Sequence, residues 1–255
     1  MCALRAQPLI PNKLLKPPFS MPFSQLGLSP ALVRAATSQG YATPTPIQAA
    51  AIPVVLRGAD VLGSAQTGSG KTAAFLLPVL NTLIAQKAIE AAAEQAEFER
   101  QRAQAAASGE AAPKRAKRKN PMQSRNFKAA VPGALVLCPT RELAQQVAQD
   151  AIELVKHCKN LRVANVVGGM PYQLQIAKLQ NADLVVATPG RLLDLQRSLQ
   201  IKLDKVQFLV VDEADRMLDL GFADDLEEVH QMTAQRKQTM MFSATFAPRI
   251  QQLAM

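Results

Sequence analysis

The sequence predicts an α/β fold, an open and mostly parallel β-sheet with helices on both faces. Three observations carry this expectation. Short, continuous apolar runs recur along the 255 residues, as strands do when both faces of a sheet are covered. Helical patterns separate most of these runs, so strand and helix alternate. A glycine-rich turn joins the first run to a helix, and ligands of such sheets collect at the carboxyl ends of the strands. Hydrophobic residues make up 48% of the chain and aromatics only 4%, so the core is aliphatic.

The elements follow in order. Residues 1–20 and the segment just after hold five prolines (Pro8, Pro11, Pro17, Pro18, Pro22) without steady periodicity, which reads as an irregular arm. Ser29-Pro30 opens a helix with apolar positions Leu32, Val33 and Ala36, and Gly40 stops it. Pro44 and Pro46 fix an extended entry to a second helix that carries Gln48 near its start. Val61-Leu62 is the first strand, and Ala73 to Leu77 is a helical run.

Between about 86 and 128 the composition changes. Ala88 to Ala107 is rich in Ala, Glu, Gln and Arg, with Glu97/Arg100 and Glu99/Arg102 spaced for pairing, and reads as an exposed helical extension. A Gly109/Pro113/basic segment follows, predicted to be disordered. Strands are then expected at Ala134–Cys138, Val163–Val167, Leu184–Ala187, Val206–Val211 and Thr239–Phe242. The helices between and after them are expected at Glu142–Val155, Tyr172–Leu179, Arg191–Leu195 and Ala223–Met232.

Composition limits the function classes. The formal charge of +9 points to a polyanionic partner, although Lys114 to Lys119 alone supply five positive charges. No run approaches about 18 consecutive apolar residues, and Met1-Cys2-Ala3-Leu4-Arg5 lacks a signal-peptide pattern. Cys2, Cys138 and Cys158 form no even framework or metal-ligand spacing, which suits a reducing, cytoplasmic setting. His157, His230 and Cys138 read as structural, and Met240-Met241 as core strand.

Chemistry concentrates in two stretches. Ala65-Gln66-Thr67-Gly68-Ser69-Gly70-Lys71-Thr72 lies between strand and helix and reads as a phosphate cradle. Backbone N–H groups surround the phosphates, Lys71 reaches the outer ones and the Thr72 hydroxyl serves Mg²⁺. A strict Walker loop has Gly where Ala65 stands. Further on, an apolar strand delivers Asp212-Glu213-Ala214-Asp215. In a chain with a phosphate loop, Asp212 holds Mg²⁺, directly or through water, and Glu213 orients and deprotonates the attacking water. Taken alone, that tetrad also reads as an acidic helix cap. Gln48 offers a carboxamide that fits the N6/N7 edge of adenine, although alone it reads as a plain helix residue.

These motifs resemble, in order, those of the DEAD-box RNA helicases, over roughly residues 21–255 apart from the 86–128 insertion. Gly40 to Gln48, with Tyr41, Thr43 and the upstream Phe23, is similar to that family's adenine-sensing motif. Ala65 to Thr72 is similar to its phosphate loop, which normally has Ala at the first position. Pro139-Thr140-Arg141-Glu142-Leu143-Ala144, Gly168-Gly169 and Thr188-Pro189-Gly190-Arg191 resemble its RNA-backbone motifs, and Ser243-Ala244-Thr245, with Asp215, its coupling motif. Phe23 to Pro78 is most similar to the bacterial RhlE-like subgroup.

The resemblance implies a RecA-like P-loop NTPase fold, ATP/ADP and Mg²⁺ as cofactors, RNA bound through its backbone, no membrane, and protein partners in ribosome assembly or RNA decay. The family also has a second RecA-like domain with arginine fingers, and nothing in this sequence resembles it. The expectation is therefore a first helicase half that binds nucleotide, hydrolyses it weakly and does not unwind duplexes alone. Another P-loop ATPase and a non-catalytic RNA-binding module are the alternatives. Gln48 and the Pro139-Thr140-Arg141 and Ser243-Ala244-Thr245 motifs argue against the first, and intact Lys71, Asp212 and Glu213 against the second. The role of the 86–128 insertion, solvated spacer or auxiliary RNA contact, stays open.

Overall fold

In a computed structural model of the chain, residues 21–66, 68–108, 111, 128–156, 158 and 161–245 are described. The arm at 1–20, Thr67, Gly109, the basic run 114–119, His157 and the last residues after Thr245 lie outside them.

Six strands form one sheet: β1 (Val61–Ser64), β2 (Ala134–Leu137), β3 (Val163–Val166), β4 (Leu184–Ala187), β5 (Phe208–Asp212) and β6 (Gln238–Ser243). Their order is β1-β6-β5-β2-β4-β3, and every pairing is parallel. Every residue of β2, β4, β5 and β6 is buried, which accounts for the apolar runs of β2 and β4, of β5 up to Asp212, and of Met240 to Phe242 in β6.

Successive side chains point to opposite faces and build two separate cores. Ala134, Val136, Val210 and Met240 join one with Leu32, Ile52, Phe75 and Leu154. Leu135, Leu137, Val211 and Met241 join the other with Leu193, Met217 and Val229. The helices divide accordingly. The first face takes α1 (Pro30–Ser38), α2 (Pro46–Leu56), α3 (Lys71–Ser108) and α4 (Arg141–Val155). The second takes α5 (Tyr172–Leu179), α6 (Pro189–Arg197), α7 (Ala214–Asp219) and α8 (Ala223–Met232).

The expected helix and strand positions are met within a few residues, with three differences. The helix after the phosphate loop does not end before the insertion: α3 runs unbroken for 38 residues, about 57 Å of helix. Ala, Glu, Gln and Arg are good helix formers, and after Pro78, which lies inside the helix, no Gly or Pro occurs before Gly109. Lys87 pairs with Asp183 at 2.9 Å and Gln86 bonds Gln207 at 3.0 Å, which fixes α3 to the loops preceding β4 and β5. Beyond Lys87 the helix is mostly exposed, with Ile89 at 70%. Glu97 pairs with Arg100 as expected, whereas Glu99 accepts from Gln95.

Secondly, α3 is long and apolar enough to cross a bilayer, at a mean hydropathy of 1.4 over 18 residues. No continuous apolar run of that length occurs, since Asn81 and Thr82 interrupt it, but the window average over the helix is high enough. Ala73 to Leu80 are all buried against the sheet, so this apolarity belongs to the core. Thirdly, α7 was not expected, and it begins directly after the acidic strand end.

Candidate functional site

The phosphate loop and the acidic strand end meet at the carboxyl edge of the sheet. Gly68 and Gly70 have φ of +82° and +85°, conformations that glycine adopts without strain. They turn the chain from β1 into α3, whose first residue is Lys71. Ala65 donates its N–H to the Ser243 carbonyl at 3.2 Å, so the loop begins hydrogen-bonded to the end of β6.

Lys71 is 5% exposed. Its Nζ stands 2.9 Å from Asp212 Oδ1 and 3.1 Å from Glu213 Oε1. Burial alone would push the Lys71 ammonium down, but the charges and hydrogen bonds of Asp212 and Glu213 outweigh it and the net shift is upward. Burial pushes the Asp212 carboxyl up, and Lys71 offsets only part of that. Glu213 is held at φ +54° and ψ +53°, left-handed values uncommon for a non-glycine residue and typical of strain kept at functional sites. Its second oxygen accepts from Arg216 at 3.3 Å. Cys138, fully buried at the end of β2, is pushed well up by burial and by Asp212 and Glu213, so its thiol stays neutral.

The loop fits a phosphate and a divalent ion. Ser69 Oγ and Asp212 Oδ2 are buried polar atoms without a hydrogen-bond partner among the described residues. A Cβ on Gly68 would meet nothing within 4 Å. No cluster of three His, Cys, Asp or Glu occurs among the described residues. Asp212 and the half-buried Thr72 would thus hold Mg²⁺ together with phosphate oxygens, the usual way this ion is bound.

Gln48 is 1% exposed and already engaged at both ends. Its Oε1 accepts from Thr45 N–H at 2.9 Å, and its Nε2 donates to the Gly70 carbonyl at 3.0 Å. It ties the 40–48 turn to the phosphate loop, and reading adenine would use its remaining valences or exchange these bonds. Phe23 is 3% exposed and packs edge-on against Tyr41, ring centroids 6.4 Å apart. Tyr41 is half-buried, while Thr43 and Gln66 are exposed.

Asp215 gathers the coupling residues. Its Oδ2 accepts from the N–H groups of Ala244 and Thr245, both at 3.1 Å, and from Thr245 Oγ1 at 3.3 Å. Its own N–H donates to Ser243 Oγ, which in turn donates to the Thr245 carbonyl at 2.6 Å.

The expected RNA residues line a separate open groove of about 620 Å³: Pro139, Thr140, Arg141, Glu142, Gly168, Gly169, Thr188, Gly190 and Arg191. Pro189 is buried as the first residue of α6. Thr140 Oγ1 accepts from Leu143 N–H and caps α4, which starts at Arg141. Arg191 stacks over Tyr172 at 5.7 Å. The sequence reading missed Asp194, Leu220 and Phe222 on the groove wall. It also missed Gln175, fully buried, whose Nε2 donates to the Val167 and Met170 carbonyls and pins the Gly168-Gly169 turn. A glutamine on the apolar face of a helix was the available signal. As expected, His230 is structural, lying against the Arg236 guanidinium.

A parallel sheet with a lysine-bearing phosphate loop facing an acidic strand end defines a P-loop nucleotide-binding domain. The DEAD/DEAH box helicase family matches residues 45–253, and the chain belongs to that family. It is 42% identical over 243 residues to the DEAD-box ATP-dependent RNA helicase 52A of Oryza sativa subsp. japonica, covering 93% of this chain and 36% of the relative. It is 42% identical over 224 residues to the ATP-dependent RNA helicase SrmB of Escherichia coli, covering 88% and 42%. Among solved structures, a DEAD box protein from Methanococcus jannaschii superposes with a TM-score of 0.69 at 32% identity, covering 92% of this chain and 53% of that one. A hypothetical ATP-dependent RNA helicase from Sulfolobus tokodaii superposes at 0.67 and 33% identity, covering 88% and 53%. The chain thus spans about two fifths of the curated relatives' length and about half of the structural ones.

Proposed function

We propose that this domain binds ATP with Mg²⁺ and is the nucleotide-binding part of an RNA-dependent ATPase that remodels RNA duplexes. The observation that carries this is the buried contact of Lys71 with Asp212 and Glu213, joined to the Asp215–Ser243-Ala244-Thr245 network through Arg216, whose Nη1 donates to Glu213 Oε2 and whose N–H donates to Asp215 Oδ1. Mg²⁺ would supply charge neutralisation of the phosphates. In this reading Lys71 binds the outer phosphates, Thr72 and Asp212 hold the ion, and Glu213 takes the proton of the attacking water.

RNA lies in the groove, held through phosphates and 2′-hydroxyls by Thr140, Arg141 and Arg191, without regard to base identity. The curated relatives are longer than this chain, and transfer of a phosphoryl group needs positive charge on its far side, where an arginine finger supplies about 10³–10⁵ in rate. The 255-residue chain alone therefore binds nucleotide and turns it over slowly. The cysteine usage supports a cytoplasmic setting, and Phe23 to Pro78 support a bacterial RhlE-like subgroup. Partners in ribosome assembly or RNA decay follow from the family reading.

The test is ATP turnover with and without single-stranded RNA, with Glu213→Gln as the blank, alongside an ADP titration. Near-blank turnover with measurable ADP binding is expected. Robust RNA-stimulated turnover would show that the chain completes its own site, and absence of ADP binding would overturn the nucleotide reading.

A further inference from the structure

The Gly168-Gly169 turn and the Arg141 side chain meet in the groove. A Cβ built on Gly168 would stand 3.2 Å, 3.3 Å and 3.4 Å from Arg141 Nη2, Nε and Cζ. One on Gly169 would run into Arg141 Nη1 and lie 3.2 Å from Cζ. The guanidinium therefore rests on two glycines in the space a side chain would take. Gly169 has a second reason to be glycine, its φ of +79°, whereas Gly168 has no such backbone reason, and the three atoms nearest its Cβ would all belong to the Arg141 guanidinium.

Among the described residues the Arg141 guanidinium has no carboxylate or hydrogen-bond partner, so packing on this turn is what places it and its donors remain free. Both sides of the contact are fixed. Arg141 is the first residue of α4, capped by Thr140. The turn is held from the core by Gln175, bonded to the Val167 and Met170 carbonyls at 2.9 Å and 3.0 Å.

We propose that Gly168 and Gly169 are positioning residues: their main contribution to RNA binding is a flat seat that holds the Arg141 guanidinium toward a phosphate, rather than turn amides that bind phosphate themselves. A planar guanidinium is suited to such a seat, and aligning its fork in advance reduces the order lost when it meets a phosphate. This rests on the groove being the RNA site. The two readings of the glycines differ in one respect: a seat matters only while Arg141 is present.

The experiment is a double-mutant cycle of Gly168→Ala and Arg141→Ala in the full chain. It is read by single-stranded oligoribonucleotide binding across a salt series, with ADP binding and thermal midpoint as controls for the fold. Gly168→Ala should weaken binding roughly fivefold and reduce the salt slope by about 0.7, the share of one phosphate contact on a single strand. In the Arg141→Ala background it should cost nothing further. An equal cost in both backgrounds, or none in the wild-type background, overturns the seat.

The Arg141 Nε–Hε NMR resonance, recorded without RNA, reads the seat independently. It should shift to the position of a free arginine in Gly168→Ala, and an unmoved resonance sinks the proposal. If the wild-type chain binds no RNA, the groove reading fails, and the resonance alone decides whether glycines seat the arginine.

Discussion

The nucleotide side and the groove differ in how they hold their cations. Lys71 is 5% exposed and locked between Asp212 and Glu213, whereas Arg141 is exposed, rests on two glycines and, among the described residues, pairs with no carboxylate. A buried ion pair answers to the desolvation of its own members: breaking one partner leaves the other stranded. An exposed guanidinium on a glycine seat costs the fold nothing to remove and costs the ligand a contact. The same charge is therefore a matter of stability in one region and of affinity in the other.

The sharpest way to break this contrast is to remove each cation in turn. Lys71→Ala leaves the fully buried Asp212 carboxylate unpaired and should destabilise the domain by about 3–5 kcal/mol in urea unfolding. Arg141→Ala should stay within about 0.5 kcal/mol of wild type while weakening RNA binding. Comparable losses of stability in both would erase the distinction. Intermediate in size is Asp215→Ala, which removes the acceptor of the Ala244 and Thr245 amides. Those amides should exchange faster by about tenfold, equivalent to about 1.4 kcal/mol of local stability, with the Lys71–Asp212 contact intact. Unchanged exchange would mean that strand β6 alone orders this segment.

The smallest expected effect lies away from both regions, at His230. Burial first, and then the Arg236 charge, push its pKa below 6.5. A lowered folded pKa means the unfolded chain binds the proton more readily, so this contribution to stability is present above pH 6.5 and lost as pH falls through the folded value. His230→Gln should flatten a slight acid-side decline in the unfolding midpoint, and a pH profile identical to wild type would remove His230 from the account.

Much of the fold was legible because its signals are local. The buried strands are continuous apolar runs, and Gly68, Gly70, Lys71 and Thr72 form a motif that needs no distant residue to be read. The single helix α3 was read in two pieces because the composition shift at about residue 86 marks the loss of a packing partner, and helical hydrogen bonds continue across such a shift. What lay beyond the sequence are relations between residues far apart in the chain.

Sequence by itself determined that an α/β sheet would carry a phosphate loop and an acidic strand end, since periodicity, glycine placement and motif spacing are properties of neighbours. Only the tertiary structure decided that Lys71 sits between Asp212 and Glu213, that Gln48 holds the Gly70 carbonyl, that Asp215 gathers Ser243 to Thr245, and that Gln175 and two glycines shape the seat of Arg141. The physical reason is the parallel sheet: it brings every strand's carboxyl end to one edge, and strand order, β1-β6-β5-β2, sets which loops become neighbours there.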